Sequence, residues 1–153
     1  MALDIVSVLF FLTGESIQKI EPPNKHMVHL AQTMQAQGLR AGDKVAWLGQ
    51  SLEAVWLGLD RAQIAVEIPV GTRHLDDKYG RPLAYSFDNT DRFWRAFSLE
   101  KNQVFEAFRN TGAKWAFADS VPNWASLEGW IPAGPSHAWR NGDRPFVYYR
   151  KLD

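Results

Sequence analysis

The stretch RAGDKVAWLGQS, residues 40–51, decides how the rest of the chain is read. Gly42 and Asp43 are turn residues, and Lys44 to Leu48 is an apolar run with too few polar residues for a half-exposed strand. Gly49 then bends the chain toward Ser51, a helix-capping residue type. Strand, glycine and helix start in this order form the layout of a phosphate-binding turn, in which helix N-terminal amides meet an anion. The same layout also serves as a plain hinge. Phosphate binding asks for Gly-x-Gly-x-x-Gly or Gly-x-x-x-x-Gly-Lys-Ser/Thr, because backbone must approach phosphate closely. Here a lone Gly49 is followed by Gln50, Ser51 and Leu52, so a structural turn with Ser51 as a helix cap is the leading expectation.

Upstream, Pro22-Pro23 breaks the chain and Asn24 is an N-cap type. Met27, Leu30, Ala31 and Met34 follow at helical spacing, with Gly38 where a left-handed C-terminal cap belongs and Leu39 beside it. Downstream, Leu52, Val55, Trp56 and Leu59 make an apolar stripe for a second helix. Gln63 to Ile68 is the next strand, ended by Pro69, which has no amide hydrogen for a ladder. Strand, helix and strand in so short a span form a parallel βαβ unit with a right-handed crossover. From Val70 to Thr90 the periodicity disappears, and such long connections are usually functional or mobile.

Helical spacing returns at Asp91 with Phe93, Trp94 and Phe97. Ser98 is placed to cap a further helix carrying Val104, Phe105 and Phe108, closed by Gly112. Lys114 to Ala118 reads as a strand with Trp115 and Phe117 on one face. Trp130 to Pro132 and Phe146 to Tyr149 are short β-like runs around a loop from Pro135 to Pro145, with a tight turn at Asn141-Gly142-Asp143. The expected fold is one α/β domain over residues 1–153. It is three-layered and Rossmann-like, with a mostly parallel sheet of about five strands and an antiparallel edge near the C-terminus.

At the N-terminus, Ile5 to Leu12 is apolar but far short of the roughly 20 residues a spanning helix needs, and it lacks a basic flank. Residues 1–23 are therefore an N-terminal strand or the trimmed stub of a membrane helix. The 153 residues include 17 basic and 17 acidic side chains, so formal charge is zero. That balance argues against nucleic acid, which needs a basic stripe, and leaves self-association into a homo-oligomer open. Cysteine is absent, which removes disulfides, thiolate metal sites and a Cys nucleophile from consideration.

In open α/β sheets the ligand crevice lies beyond the carboxyl ends of the strands. The polar residues expected there are Gln50, Ser51, Glu67, Asp119 and Ser120, the candidate binding set for a small molecule or sugar. Glu67 also ends a strand where a ribose-binding carboxylate sits in dinucleotide folds. The alternatives are structural: Glu67 pairing with Arg61 or Arg73, and Asp119 or Ser120 capping the turn into Val121-Pro122. His26 and His29 share a helix face without a carboxylate nearby, and the cluster of His74, Asp76 and Asp77 reads as solvated loop charge, so neither metal nor cofactor is expected. No Gly-x-Ser-x-Gly elbow occurs, and no catalytic residue is assigned. Trp124, Trp130, Trp139, Tyr148 and Tyr149 would suit an aromatic platform, with core packing as the default.

Two resemblances bear on function. The segment from Leu30 through Gly38, Gly42-Asp43 and Ala46 resembles an early part of adenylate-forming acyl-CoA synthetases, but that family's phosphate loop has no counterpart here. A second resemblance spans about residues 26 to 152. Leu39 to Ala46, Arg61 to Pro69, Phe93-Trp94, Thr111 to Ala116, Gly129-Trp130 and Phe146 to Tyr149 follow in an order similar to the soluble C-terminal domain of bacterial multi-pass membrane proteins. Those proteins are similar to lipid-phosphate-sugar glycosyltransferases. The resemblance implies an extracytoplasmic, non-catalytic accessory domain. Its partner would be the membrane-embedded portion of the same polypeptide or another subunit. Catalysis would come from carboxylates on membrane-side loops that this sequence does not contain. The rival is a small nucleotide- or cofactor-binding α/β enzyme, cytoplasmic, built on Glu67, Asp119 and the Gly49 turn.

Overall fold

The computed structural model describes residues 25–49, 51–69, 89–136 and 142–153. Helix α1 (Lys25–Gln37) forms where the apolar spacing asks for it, burying Leu30, Ala31 and Met34, with Met27 packed partly against the same cluster. Gly38 has φ 106, and the amides of Gly38 and Leu39 donate to the carbonyls of Gln35 and Met34, both at 3.0 Å. This is a Schellman closure, with Leu39 buried beside the helix as anticipated. The Asn24 cap lies outside the described residues.

Strand β1 (Lys44–Gly49) pairs in parallel with β2 (Gln63–Pro69) on one side and with β3 (Ala113–Ala118) on the other, and Val45 to Gly49 are all buried. Strands β4 (Ile131–Pro135) and β5 (Phe146–Lys151) complete a five-stranded mixed sheet in the order β2-β1-β3-β5-β4, with β5 antiparallel to both neighbours. The chain is thus α/β, with a parallel core and antiparallel strands drawn from its C-terminal part.

The connection from β1 to β2 departs from expectation. Ser51–Gly58 is a 3-10 helix, so Ser51 opens a tighter turn and does not cap an α-helix. At three residues per turn Ala54 and Leu57 align and are buried with Trp56, whereas Val55 turns outward at 54% exposure. The reason is reach. At about 2.0 Å per residue, eight residues come closer to the length of six-residue β1, rising about 3.3 Å per residue, than an eight-residue α-helix at about 1.5 Å per residue would. A short connection therefore suffices.

Helices α2 (Asn89–Arg95) and α3 (Ser98–Asn110) bury Phe93, Trp94, Phe105 and Phe108. Phe97 does not join them. It is the N-cap of α3 in an extended conformation and is 82% exposed. Ser98 is already inside the helix, and the capping contact is the Phe97 amide donating to Glu100 Oε2 at 2.9 Å.

Alternation along the strands sorts two cores. Val45, Trp47, Trp115, Phe117 and Tyr149 face α1 and the 3-10 helix, while Ala46, Leu48, Ala116, Ala118 and Tyr148 pack with residues of α2 and α3. In the first core Trp47 stacks on Phe117 with centroids 5.9 Å apart, and Trp56 meets Phe117 edge-on at 5.2 Å. Among the described residues, no helix is long and apolar enough to cross a membrane. Ile5 to Leu12 and most of the Val70–Thr90 connection lie outside them.

Candidate functional site

The chain leaves β1 toward β2 and leaves β3 toward the opposite side of the sheet, so the carboxyl ends of β1 and β3 flank a topological switch point. Leu48 lies opposite Ala118, and the Asp119 amide donates to the Leu48 carbonyl at 3.0 Å, extending the ladder past β3. Gly49 has φ 138, and a Cβ there would overlap the Asp119 carboxylate, 2.6 Å from its Cγ. Only glycine fits. Asp119 and Ser120 are fully buried, and Ser120 takes φ 50, a left-handed conformation uncommon outside glycine and concentrated at functional or tightly determined positions.

The candidate set is therefore only partly assembled. Asp119 meets Gly49, and Ser120 follows it in the chain. Gln50 lies outside the described residues, and Ser51 begins the 3-10 helix just beyond. Glu67 is exposed on the outer strand, in register with Trp47, whose partner on the other side is Phe117. With strands spaced about 4.8 Å apart, β1 keeps the Glu67 backbone about 10 Å from that of β3. Glu67 thus does not face Asp119 across the switch point.

Two other aspartates carry the resolved electrostatics. Burial pushes the Asp43 carboxyl up, but Lys114 Nζ at 2.8 Å and the Arg40 amide at 2.9 Å outweigh it and hold the group below its ordinary 3.8. This ion pair ties the start of β1 to the start of β3. Asp60 behaves oppositely. Burial raises it from 3.8 to about 6, against the Gln35 side-chain amide that donates to it at 2.6 Å. Sequence reasoning read Asp43 only as a turn residue and passed over Asp60, because the Lys114 and Gln35 partners come from distant segments.

The aromatic platform does not form. Tyr148 and Tyr149 are adjacent on β5 and point into opposite cores, and Trp130 is buried against Trp94 and Phe105 at 5.5 and 6.2 Å. Trp124 stays half exposed with the Arg95 guanidinium 4.7 Å above its ring, and Trp139 lies outside the described residues. Among the described residues no group of three or more His, Asp or Glu is arranged to hold a metal; His74, Asp76 and Asp77 are not among them. Compared with known proteins, the chain matches no family model, no curated protein and no solved structure.

Proposed function

We propose that this chain is a non-catalytic accessory domain of a bacterial, glycosyltransferase-like membrane protein, binding a partner or small ligand at the carboxyl ends of its parallel strands. In this reading the fold is three-layered and Rossmann-like, and the domain works on the extracytoplasmic face. The observation that carries it is the contact of Gly49 with Asp119, followed by left-handed Ser120, at the switch point where open α/β sheets take their ligands. Asp119 is buried, so it shapes the floor of that position and a ligand meets the groups around it.

The nucleotide-binding rival fares worse on the same geometry. A phosphate approaching Gly49 on the face where its Cβ would be meets the Asp119 carboxyl group instead of open backbone.

A thermal-shift screen with soluble sugars, sugar phosphates and nucleotides tests the site. The accessory-domain reading expects stabilisation by a sugar-type ligand that Ser120→Ala or Asp119→Asn diminishes. Nucleotide-specific stabilisation would favour the rival. Coding sequence upstream of Met1 tests the membrane part: hydrophobic spans leading into Met1 support it, and a native start codon there overturns it.

A further inference from the structure

The opposite end of the parallel strands carries a different arrangement. There the starts of β1 and β3, the end of β5 and the C-terminus of α3 line an open cavity of about 410 Å³. Arg40, Arg109, Lys114 and Lys151 line it against only Asp43 and Asp153. One acid is already committed, because Asp43 is held by Lys114 at 2.8 Å. Among side chains, Arg40, Arg109 and Lys151 then face Asp153 alone, a basic excess on a chain whose formal charge is zero. Lys44 adds to the field, since its Nζ lies 3.8 Å from the Cβ position of Gly112 on the cavity wall.

Helix C-termini attract cations, so this clustering needs testing against that simpler cause. Two terminal carbonyls on each of α1 and α3 are already met by backbone or hydroxyl donors. Gly38 and Leu39 satisfy Gln35 and Met34, Gly112 satisfies Arg109, and Thr111 Oγ1 satisfies Phe108 at 2.7 Å. Arg109 turns elsewhere, with Nη1 donating to the Leu152 carbonyl at 3.2 Å on the cavity rim. Lys151 is likewise directed, its ammonium 5.0 Å above the Trp115 ring that forms part of the wall. Nearby Arg150 is held below the usual guanidinium range, chiefly by burial and then by the Arg109 charge, with Glu128 opposing.

We propose that this cavity binds a phosphoryl-bearing small anion, with Arg109, Lys151 and Arg40 holding the phosphoryl oxygens. A phosphoryl group carries about −1.5 to −2 at neutral pH, and its oxygens suit the guanidinium fork. The cavity is larger than a bare phosphate needs, so the ligand carries an organic portion that lies along Trp115 and Leu152. The headgroup of a phospholipid and a soluble phosphate ester share this chemistry. The site is at the opposite end of the strands from the accessory-domain surface, and the two stand or fall separately.

Calorimetric titration of the intact chain with inorganic pyrophosphate and with glucose 1-phosphate, alongside flotation with phosphatidylcholine vesicles containing phosphatidic acid, tests it. Saturable one-to-one binding of a soluble phosphate is expected, weakened about tenfold or more by Arg109→Gln and by Lys151→Gln. Exposed Arg92, on the distant helix α2, serves as the charge control, and Arg92→Gln should leave binding unchanged. Far-UV circular dichroism and a thermal melt establish that each variant is folded. Vesicle binding that pyrophosphate competes away assigns the headgroup as the source, whereas soluble binding without flotation assigns a free ester. Either outcome supports the site. Absence of binding in all three arms, or equal weakening by Arg92→Gln, overturns it.

Discussion

Gly49 and Asp119 occupy each other's space: the carboxylate that follows β3 sits where any side chain at the end of β1 would begin. The contact couples the two central parallel strands at their carboxyl ends, as Asp43 and Lys114 couple them at the other end. It also gives Gly49 a role distinct from phosphate approach.

Replacing Gly49 by Ala therefore meets two penalties, a φ of 138 that L-residues rarely adopt and a clash with a buried carboxylate. A loss of about 2–4 kcal/mol is expected by urea denaturation. The same substitution in an Asp119→Ala background should lose measurably less, because only the backbone penalty remains. Identical losses in both backgrounds would show that the two residues are not coupled.

Asp60 predicts stability that falls as pH rises. Its folded-state carboxyl keeps its proton up to about 6, while the unfolded chain releases it near 3.8, so the native state binds more protons between those values. The destabilisation is complete above the folded value and relieved below the unfolded one. Two units correspond to about 3 kcal/mol. Asp60→Asn should raise stability at about pH 7.5 by up to that amount and change it little at about pH 3.5. A variant equally stabilised at both would refute the assignment.

Asp43 has the opposite sign. Its folded pKa lies below 3.8, so its contribution is present above that value and is lost as pH falls through the depressed one. Asp43→Ala should cost about 1–3 kcal/mol at neutral pH, as the Arg40 amide and the Lys114 ammonium lose their acceptor. In acid the difference from the parent chain should narrow. Denaturation midpoints across pH 2–7 would check this.

Trp47 is fully buried at the centre of the first core, and Trp47→Ala should cost about 3–5 kcal/mol. Trp47→Phe should cost much less than its lost volume suggests. The indole Nε1 is buried with no hydrogen-bond partner among the described residues, and phenylalanine removes that burden along with the volume. Comparing the two variants by thermal unfolding separates the effects.

How much of this was legible in the sequence follows from the range of the interactions. Helix α1 and its Gly38 closure, the buried strand after Asp43 and the strand ended at Pro69 rest on neighbours a few residues apart, and all are found where the pattern puts them. The 3-10 helix was not legible, because the length of the strand it runs along selects it over the α-helix that Leu52, Val55 and Trp56 suggest locally. Phe97 was misassigned to an apolar face because the sequence does not show where α2 stops and α3 starts. At the candidate site the pattern identified Asp119 and Ser120 from their place after a strand. Glu67 was grouped with them because the order of strands across the sheet is not written in any local segment. The meeting of Asp119 with Gly49 and the basic cavity at the opposite end of the strands come from tertiary contact alone.

The position of β5 has a consequence for how this chain is made. Phe146 to Lys151 come nearly last in sequence yet lie between β3 and β4, so β4 has no described strand to pair with until β5 emerges from the ribosome. The β1–β2 unit can assemble early through contacts close in sequence, whereas the other half must wait for the C-terminal strand to be threaded into place. Synthesis halted before Phe146 would leave both the outer side of β3 and the whole of β4 as open edges, the state in which this protein is most exposed to aggregation.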